Sequence, residues 1–264
     1  MRKILSIALV AGAIATPSLA ADAITAAPTP IVAEEFESRW ETTLAVYLWA
    51  PGISGSTRIG RLPTVDIDAS FSDLWDNLDF AFMAVGEVRK DQWGFFVDVV
   101  YTKLSSSATA GPRGGLEVEI ENQLTIATFM GEYRVLEDNN TSVDLMAGAR
   151  VWDVRLDASV TGGGGPFSVD FQQDLSETWV DPMIGVKARF QGSSPWFIST
   201  WGLIGGFGAA ADIDWDVFGG VGYQFNDTFS LLAGYRAVGV DYDRDGFLFD
   251  IVEQGPVLGG VFRF

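Results

Sequence analysis

Asp241, Asp243 and Asp245 alternate along the chain and are followed by Gly246. This D-x-D-x-D-G spacing opens a calcium loop, in which alternate carboxylates converge on one hard cation. The twelfth position of such a loop should be a bidentate Glu; here it is Val252, and no helical pattern flanks the segment. A charged hairpin tip accounts for the same residues, with weak calcium or magnesium binding as the alternative. The chain has neither histidine nor cysteine. That removes imidazole bases, thiolate nucleophiles, disulfides and the usual transition-metal ligands together. The Gly162–Gly165 run is not followed by Lys-Ser/Thr and opens no helix, so it reads as a loop hinge rather than a phosphate cradle. No catalytic, cofactor-binding or metal residue is assigned, and the chain reads as non-enzymatic. A hydrolase, the remaining alternative, would have to work without an imidazole or a thiol.

What chemistry is left lies in charged side chains that share strand faces. Alternation is clearest in four places, where successive residues point to opposite sides. Trp93, Phe95, Val97, Val99 and Tyr101 oppose Phe96, Asp98, Val100 and Thr102. Val180, Pro182, Ile184, Val186, Ala188 and Phe190 oppose Asp181, Met183, Lys187 and Arg189. Trp215, Val217, Val221, Tyr223 and Phe225 oppose Asp216, Phe218 and Gln224. Phe229, Leu231, Ala233, Tyr235 and Ala237 oppose Ser230, Leu232 and Arg236. In the final segment Phe264, Phe262, Leu258 and Pro256 share a face opposite Arg263, Val261 and Val257. Trp93 with Tyr101, and Trp215 with Tyr223, bracket apolar bands with aromatic rings, as two lipid–water interfaces favour.

These faces predict an all-β transmembrane antiparallel up-and-down barrel. Short turns fall at 90–92, 137–140, 191–195 and 226–227, and usually longer loops near 51–79, 105–115, 159–176, 209–213 and 242–246. Four short turns plus two ends on one side give about ten strands, with eight as the alternative. The spans are 40–50, 79–90, 93–104, 116–135, 142–157, 177–190, 196–208, 214–225, 228–241 and 247–264. The fourth and seventh strands do not resolve into two faces. In the fourth, Leu124, Ile126, Thr128, Met130, Glu132 and Arg134 share a parity, and a bulge would re-aim half of them.

If the apolar face meets lipid, the lumen receives Glu87, Arg89, Asp98, Arg150, Asp181, Lys187, Arg189, Arg236, Glu253 and Arg263, with Glu132 and Arg134 less clearly placed. Buried charges need partners. Either they form a paired network that fills a narrow barrel, or they line a pore whose Arg and Lys wall selects anionic solutes. The acidic surplus falls in the loops: Asp66, Asp68, Asp73, Asp76 and Asp79, then Asp212 and Asp214, then Asp241, Asp243 and Asp245. Ser70–Asp79 reads as a capped helical turn with Phe71, Leu74, Trp75 and Leu78 on one side. Those apolar residues either plug the barrel mouth, the favoured reading, or meet lipid or a partner.

The first 20 residues read as a signal peptide: Arg2 and Lys3, an apolar run of about 11 residues to Ile14, then Ser18-Leu19-Ala20 as a cleavage site. The run is too short to span a bilayer as a helix. Residues 21–38 read as an Ala/Pro-rich periplasmic leader, and 39–264 as the barrel. The formal charge of −18 excludes nucleic acid as a partner.

The signal, the leader, the alternating strands and the closing Phe262-Arg263-Phe264 resemble small outer-membrane β-barrels of Gram-negative bacteria. Tyr47–Gly55, followed by Phe71-Ser72-Asp73-Leu74 and Asn77-Leu78-Asp79-Phe80, is similar to a functionally uncharacterised proteobacterial barrel family. That likeness covers most of the mature chain, but its motifs are structural, and no ligand or catalytic residue carries over. It implies location in the outer membrane and a terminal strand read by the barrel-assembly machinery through Phe262 and Phe264. Two roles stay open: a structural envelope barrel or narrow solute pore, and a surface protein whose acidic loops bind divalent cations, lipopolysaccharide or a host factor. Lipid and lipopolysaccharide are the expected surroundings; the oligomeric state is not readable.

Overall fold

A computed structural model describes residues 40–60, 63–110, 115–162 and 169–264. The expected signal peptide and leader lie outside these residues. The elements are β1 (Trp40–Trp49), β2 (Gly52–Ile59), β3 (Val65–Ala69), α1 (Phe71–Asp76), β4 (Leu78–Lys90), β5 (Trp93–Ala110) and β6 (Leu116–Glu137). They continue with β7 (Thr141–Gly162), β8 (Val169–Gln191), β9 (Trp196–Gly206), β10 (Ile213–Gln224), β11 (Phe229–Arg244) and β12 (Phe247–Arg263).

Strand β1 and then β4 to β12 pair antiparallel in chain order, and β1 closes the circle on β12. This is a ten-stranded up-and-down barrel. Strand β2 continues the path of β1 along β12 without a change of register: Trp49 lies opposite Val257 and Gly52 opposite Gln254. Gly255 makes room for the join, since a Cβ there would sit 2.1 Å from the Ala50 carbonyl oxygen. Strand β3 then folds back on β2, so the first long loop is largely a hairpin followed by α1.

The four short turns stand where the sequence puts them. The opposite ends differ from expectation. Strands β5 and β6 stay paired to Ala110 and Leu116, and β7 and β8 to Gly162 and Val169. Much of the predicted loop there is sheet. Backbone pairing holds it together beyond the lipid, where neither face has to be apolar and the sequence pattern fades. At Asp245-Gly246 both φ angles are positive, 51° and 87°. This is the signature of a tight Asp-Gly hairpin, which joins β11 to β12.

Outward residues form the apolar belt. Val217, Val221, Leu231, Ile184, Val186, Phe95 and Leu258 are exposed, while their chain neighbours are buried or half-buried. A girdle of touching rings marks the short-turn side: Trp93 with Tyr133, then Trp196, Tyr223, Phe225, Phe229 and Phe262 in succession. Phe80 and Tyr101 contact each other at the other side. A closed barrel with backbone groups paired around its wall and an apolar exterior between aromatic rings is built for lipid. It is an outer-membrane β-barrel.

Both unresolved strands now have a physical explanation. In β6, Leu124, Ile126, Thr128, Met130 and Glu132 all point inward and are buried, with no bulge among them. The one register shift lies beyond them, between Arg134 and Leu136. In β9 the inward set includes Phe197, Trp201 and Leu203. Both faces of each strand are partly apolar because the lumen itself is layered.

Candidate functional site

The lumen has three levels. At the level of α1 and the long loops it is filled by aromatic rings. Trp152 and Trp179 stack with centroids 5.7 Å apart, Tyr242 lies 4.2 Å from Trp179, and Phe249 and Phe247 complete the group. The 207–212 connection tucks into this layer. Ala211 is fully buried there, and its backbone N–H donates to Asp181 Oδ1 at 2.8 Å. Arg244 holds the loop from above by donating to the carbonyls of Ala210 and Gly208.

The middle level is a network of charges. Arg236 Nη2 donates to Asp98 Oδ2 at 2.5 Å and to Asp216 Oδ2 at 2.7 Å, and Nη1 donates to the Tyr47 hydroxyl at 2.7 Å. Tyr47 in turn donates to Asp98 Oδ1 at 2.6 Å. Arg150 donates to Asp214 at 2.7 Å, to Asp216 at 2.6 Å and to Thr128 at 2.9 Å. Trp152 and Trp201 each donate an indole N–H, to Asp214 and Asp216 respectively. Asp98, Arg150, Asp214, Asp216 and Arg236 are each at most 1% exposed. Two guanidiniums face three carboxylates, so most donors and acceptors find a charge-assisted partner.

The third level, near the short turns, is a cavity of about 680 Å³. One side of its wall is ionic. Lys187 donates to Glu87 and to Glu132, both at 2.6 Å, and Arg89 donates to Glu132 at 2.6 Å. Asp144 takes Arg89 at 3.0 Å and Arg134 at 2.9 Å. The other side is apolar, with Phe197, Phe218, Leu232, Val257 and Val261. Arg189 and Arg263 stand near its mouth without a carboxylate partner among the described residues; the Arg189 guanidinium lies 3.5 Å from the Phe197 ring centre and that of Arg263 5.9 Å. Gly222 leaves the gap this ring fills, because a Cβ there would lie 2.1 Å from Phe197.

Every charged residue assigned to the lumen by alternation does face inward, including Glu132 and Arg134. Asp214 does not belong to an acidic loop; it is a buried strand residue bound to Arg150. Asp144 also faces inward, on the same face of β7 as Arg150; the parity of Arg150 is the signal that could have found it, and its partners are Arg89 and Arg134. Helix α1 has the expected start, with the Ser70 hydroxyl accepting from the Asp73 N–H and the Asp73 carboxylate accepting from Ser70. It does not plug the mouth: none of its residues is buried, and Trp75 is 59% exposed. The aromatic layer already occupies the space that a plug would need. Asp243 pairs with Arg58 at 3.0 Å and Asp245 forms the hairpin turn, which explains that motif without a cation.

No family model and no curated protein matches the chain. Among solved structures it is similar to the outer-membrane protease OmpT of Escherichia coli, at 10% identity over 86% of this chain and 98% of that one, TM-score 0.49. It is also similar to the translocator domain of autotransporter NalP from Neisseria meningitidis, at 11% identity over 87% and 90%, TM-score 0.45. A third is Ail, the attachment invasion locus protein of Yersinia pestis, at 11% identity over 86% and 99%, TM-score 0.35. No functional residue carries over at these scores.

Proposed function

We propose that this protein is a non-enzymatic structural barrel of the outer membrane whose lumen is sealed, rather than a solute pore. One observation carries the reading: the Arg236–Asp98–Asp216–Arg150–Asp214 network lies across the middle of the lumen with its side chains out of reach of water. A pore that selects anions needs cations facing an aqueous path. Arg150 and Arg236 instead face carboxylates. The aromatic layer adds a second closure above them. In this reading the likeness to an uncharacterised proteobacterial barrel family is one of architecture, and Phe262 and Phe264 present the closing strand to the barrel-assembly machinery.

Planar-bilayer recording tests it. The folded wild-type protein should insert without steady conductance. A stable open level, shifted in ion preference by Arg236→Gln, would overturn the sealed lumen and restore the pore.

The second reading, a surface interaction protein, draws support from a different place. Glu117, Glu119, Asp157, Asp170 and Asp174 are exposed on the part of β6–β8 that rises above the belt, and Phe71 and Trp75 are exposed on α1. This favours contact with lipopolysaccharide through bridging divalent cations. Calcium-dependent retention of the folded protein on immobilised lipopolysaccharide, lost when residues 56–78 are trimmed, is the result that would support it.

A further inference from the structure

Arg189 and Arg263 are the cations of the lumen that the sealed-barrel reading leaves without a task. Lys187, Arg89, Arg134, Arg150 and Arg236 each have a carboxylate within 3.2 Å. Among the described residues Arg189 donates only to Gln191 Oε1, at 2.8 Å, and it rests on Phe197. Arg263 approaches the same ring. Two carboxylates lie within electrostatic reach. Glu87 is engaged by Lys187 and Arg89, and Glu41 forms no ion pair with either arginine. Two like charges held beside one ring repel unless an anion joins them.

The cavity above them supplies the rest of a site. Its volume of about 680 Å³ falls within the roughly 300–1,000 Å³ usual for small-molecule pockets. Its ionic wall pairs three cations with three carboxylates, leaving only the buried Nε and Nη1 of Arg89 unpaired among the described residues, so it offers an incoming molecule little net charge. Its opposite wall is apolar, formed by Phe197, Phe218, Leu232, Val257 and Val261. The geometry points to a binding site for a small amphiphilic anion: a carboxylate head between Arg189 and Arg263, and an apolar body against the Phe218–Leu232–Val261 wall. An Arg fork is the side chain best matched to a planar carboxylate. The wall of the barrel is paired around its circumference, so the ligand enters from the aqueous end by the short turns and not sideways from the bilayer. Binding goes beyond the sealed-barrel reading and does not rest on it, since the pocket lies to one side of the central network.

Isothermal titration of the full-length protein, folded in phosphatidylcholine nanodiscs, tests the assignment with octanoate, octanol and inorganic phosphate as probes. Octanoate should bind saturably at one site. Loss of a charge-assisted hydrogen bond in Arg189→Gln or Arg263→Gln should weaken it by about tenfold or more. Octanol should give no saturable heat, and phosphate should bind more weakly than octanoate. Leu232→Trp, which keeps both arginines and fills the apolar side, should also weaken octanoate. Heat-modifiable gel migration identifies variants that remain folded. No saturable octanoate binding by the wild type would overturn the proposal. So would octanoate binding that survives the double Arg189→Gln, Arg263→Gln replacement, or phosphate binding as tightly as octanoate.

Discussion

Arg236 on β11 and Asp98 on β5 meet at 2.5 Å across the lumen, 138 residues apart in sequence. Neither strand neighbours the other in the sheet. The pair therefore ties two opposite walls of the barrel, and Asp216 and Tyr47 bring in β10 and β1. Removing one member of a buried pair leaves the other as an uncompensated charge, at a cost of about 3–5 kcal/mol. Arg236→Met should lose that much stability in urea titration of the folded protein in lipid. Asp98→Leu placed on top of it should cost far less than Asp98→Leu alone, because the two changes remove one shared interaction.

The sealed lumen has two layers, which predicts non-additive conductance. Replacing the rings alone, Trp179→Ala with Tyr242→Ala, should leave planar bilayers silent, since the charge layer beneath stays closed. Adding Arg236→Ala and Asp216→Ala should produce open levels. Conductance from the ring variant by itself would place the closure entirely in the aromatic layer.

How the residues were legible follows from what each face touches. Strands β5, β8, β10 and β11 alternate cleanly because one face meets lipid and the other carries Asp98, Asp181, Asp216 or Arg236. Strands β6 and β9 hid their period because Ile126, Met130, Phe197 and Leu203 fill an apolar part of the lumen. Above the belt the pattern fades for the opposite reason: Glu117, Glu119 and Asp174 stand in solvent on paired strands, so nothing distinguishes them from loop residues. The aromatic closure could not be read locally. Trp152, Trp179, Tyr242 and Phe249 come from four strands and converge only when the barrel closes.

Lipid contact makes a depth-dependent prediction. Val217 is exposed between Trp215 and Tyr223, which lie roughly 26 Å apart along their strand at about 3.3 Å per residue. Val217→Arg should destabilise the folded barrel by about 2–3 kcal/mol, and Tyr223→Arg at the girdle by about 1 kcal/mol or less beyond its lost ring contacts. Equal costs at the two positions would argue against a bilayer around β10.

The capping box of α1 responds to acid. Ser70, through its hydroxyl and its backbone N–H, holds the Asp73 carboxyl below its ordinary value. A depressed folded-state value means that the contribution to helix stability is complete above the unfolded value, about 3.9, and disappears as pH falls through the folded one. Amide exchange at Leu74 and Asn77 should therefore stay constant from neutral pH to about 4, after correction for intrinsic rates, and quicken below. Ser70→Ala should show the faster exchange at neutral pH and little further change in acid.

Gly222 and Phe197 offer a test that separates packing from charge in the cavity. The ring lies where a Gly222 side chain would be, with a Cβ 2.1 Å from its edge, and the Arg189 guanidinium rests on it at 3.5 Å. Gly222→Ala must push Phe197 into the cavity. Overpacking of this kind costs about 1–3 kcal/mol, measurable by urea titration. The displaced ring also takes Arg189 off its platform and occupies space against the apolar wall. Octanoate affinity should therefore fall although both arginines remain. Phe197→Leu combined with Gly222→Ala should recover stability, since the smaller side chain leaves room for the methyl group. It should not recover affinity, because Arg189 then has no flat ring to hold it toward Arg263. Recovery of both would reduce Phe197 to a space-filling role.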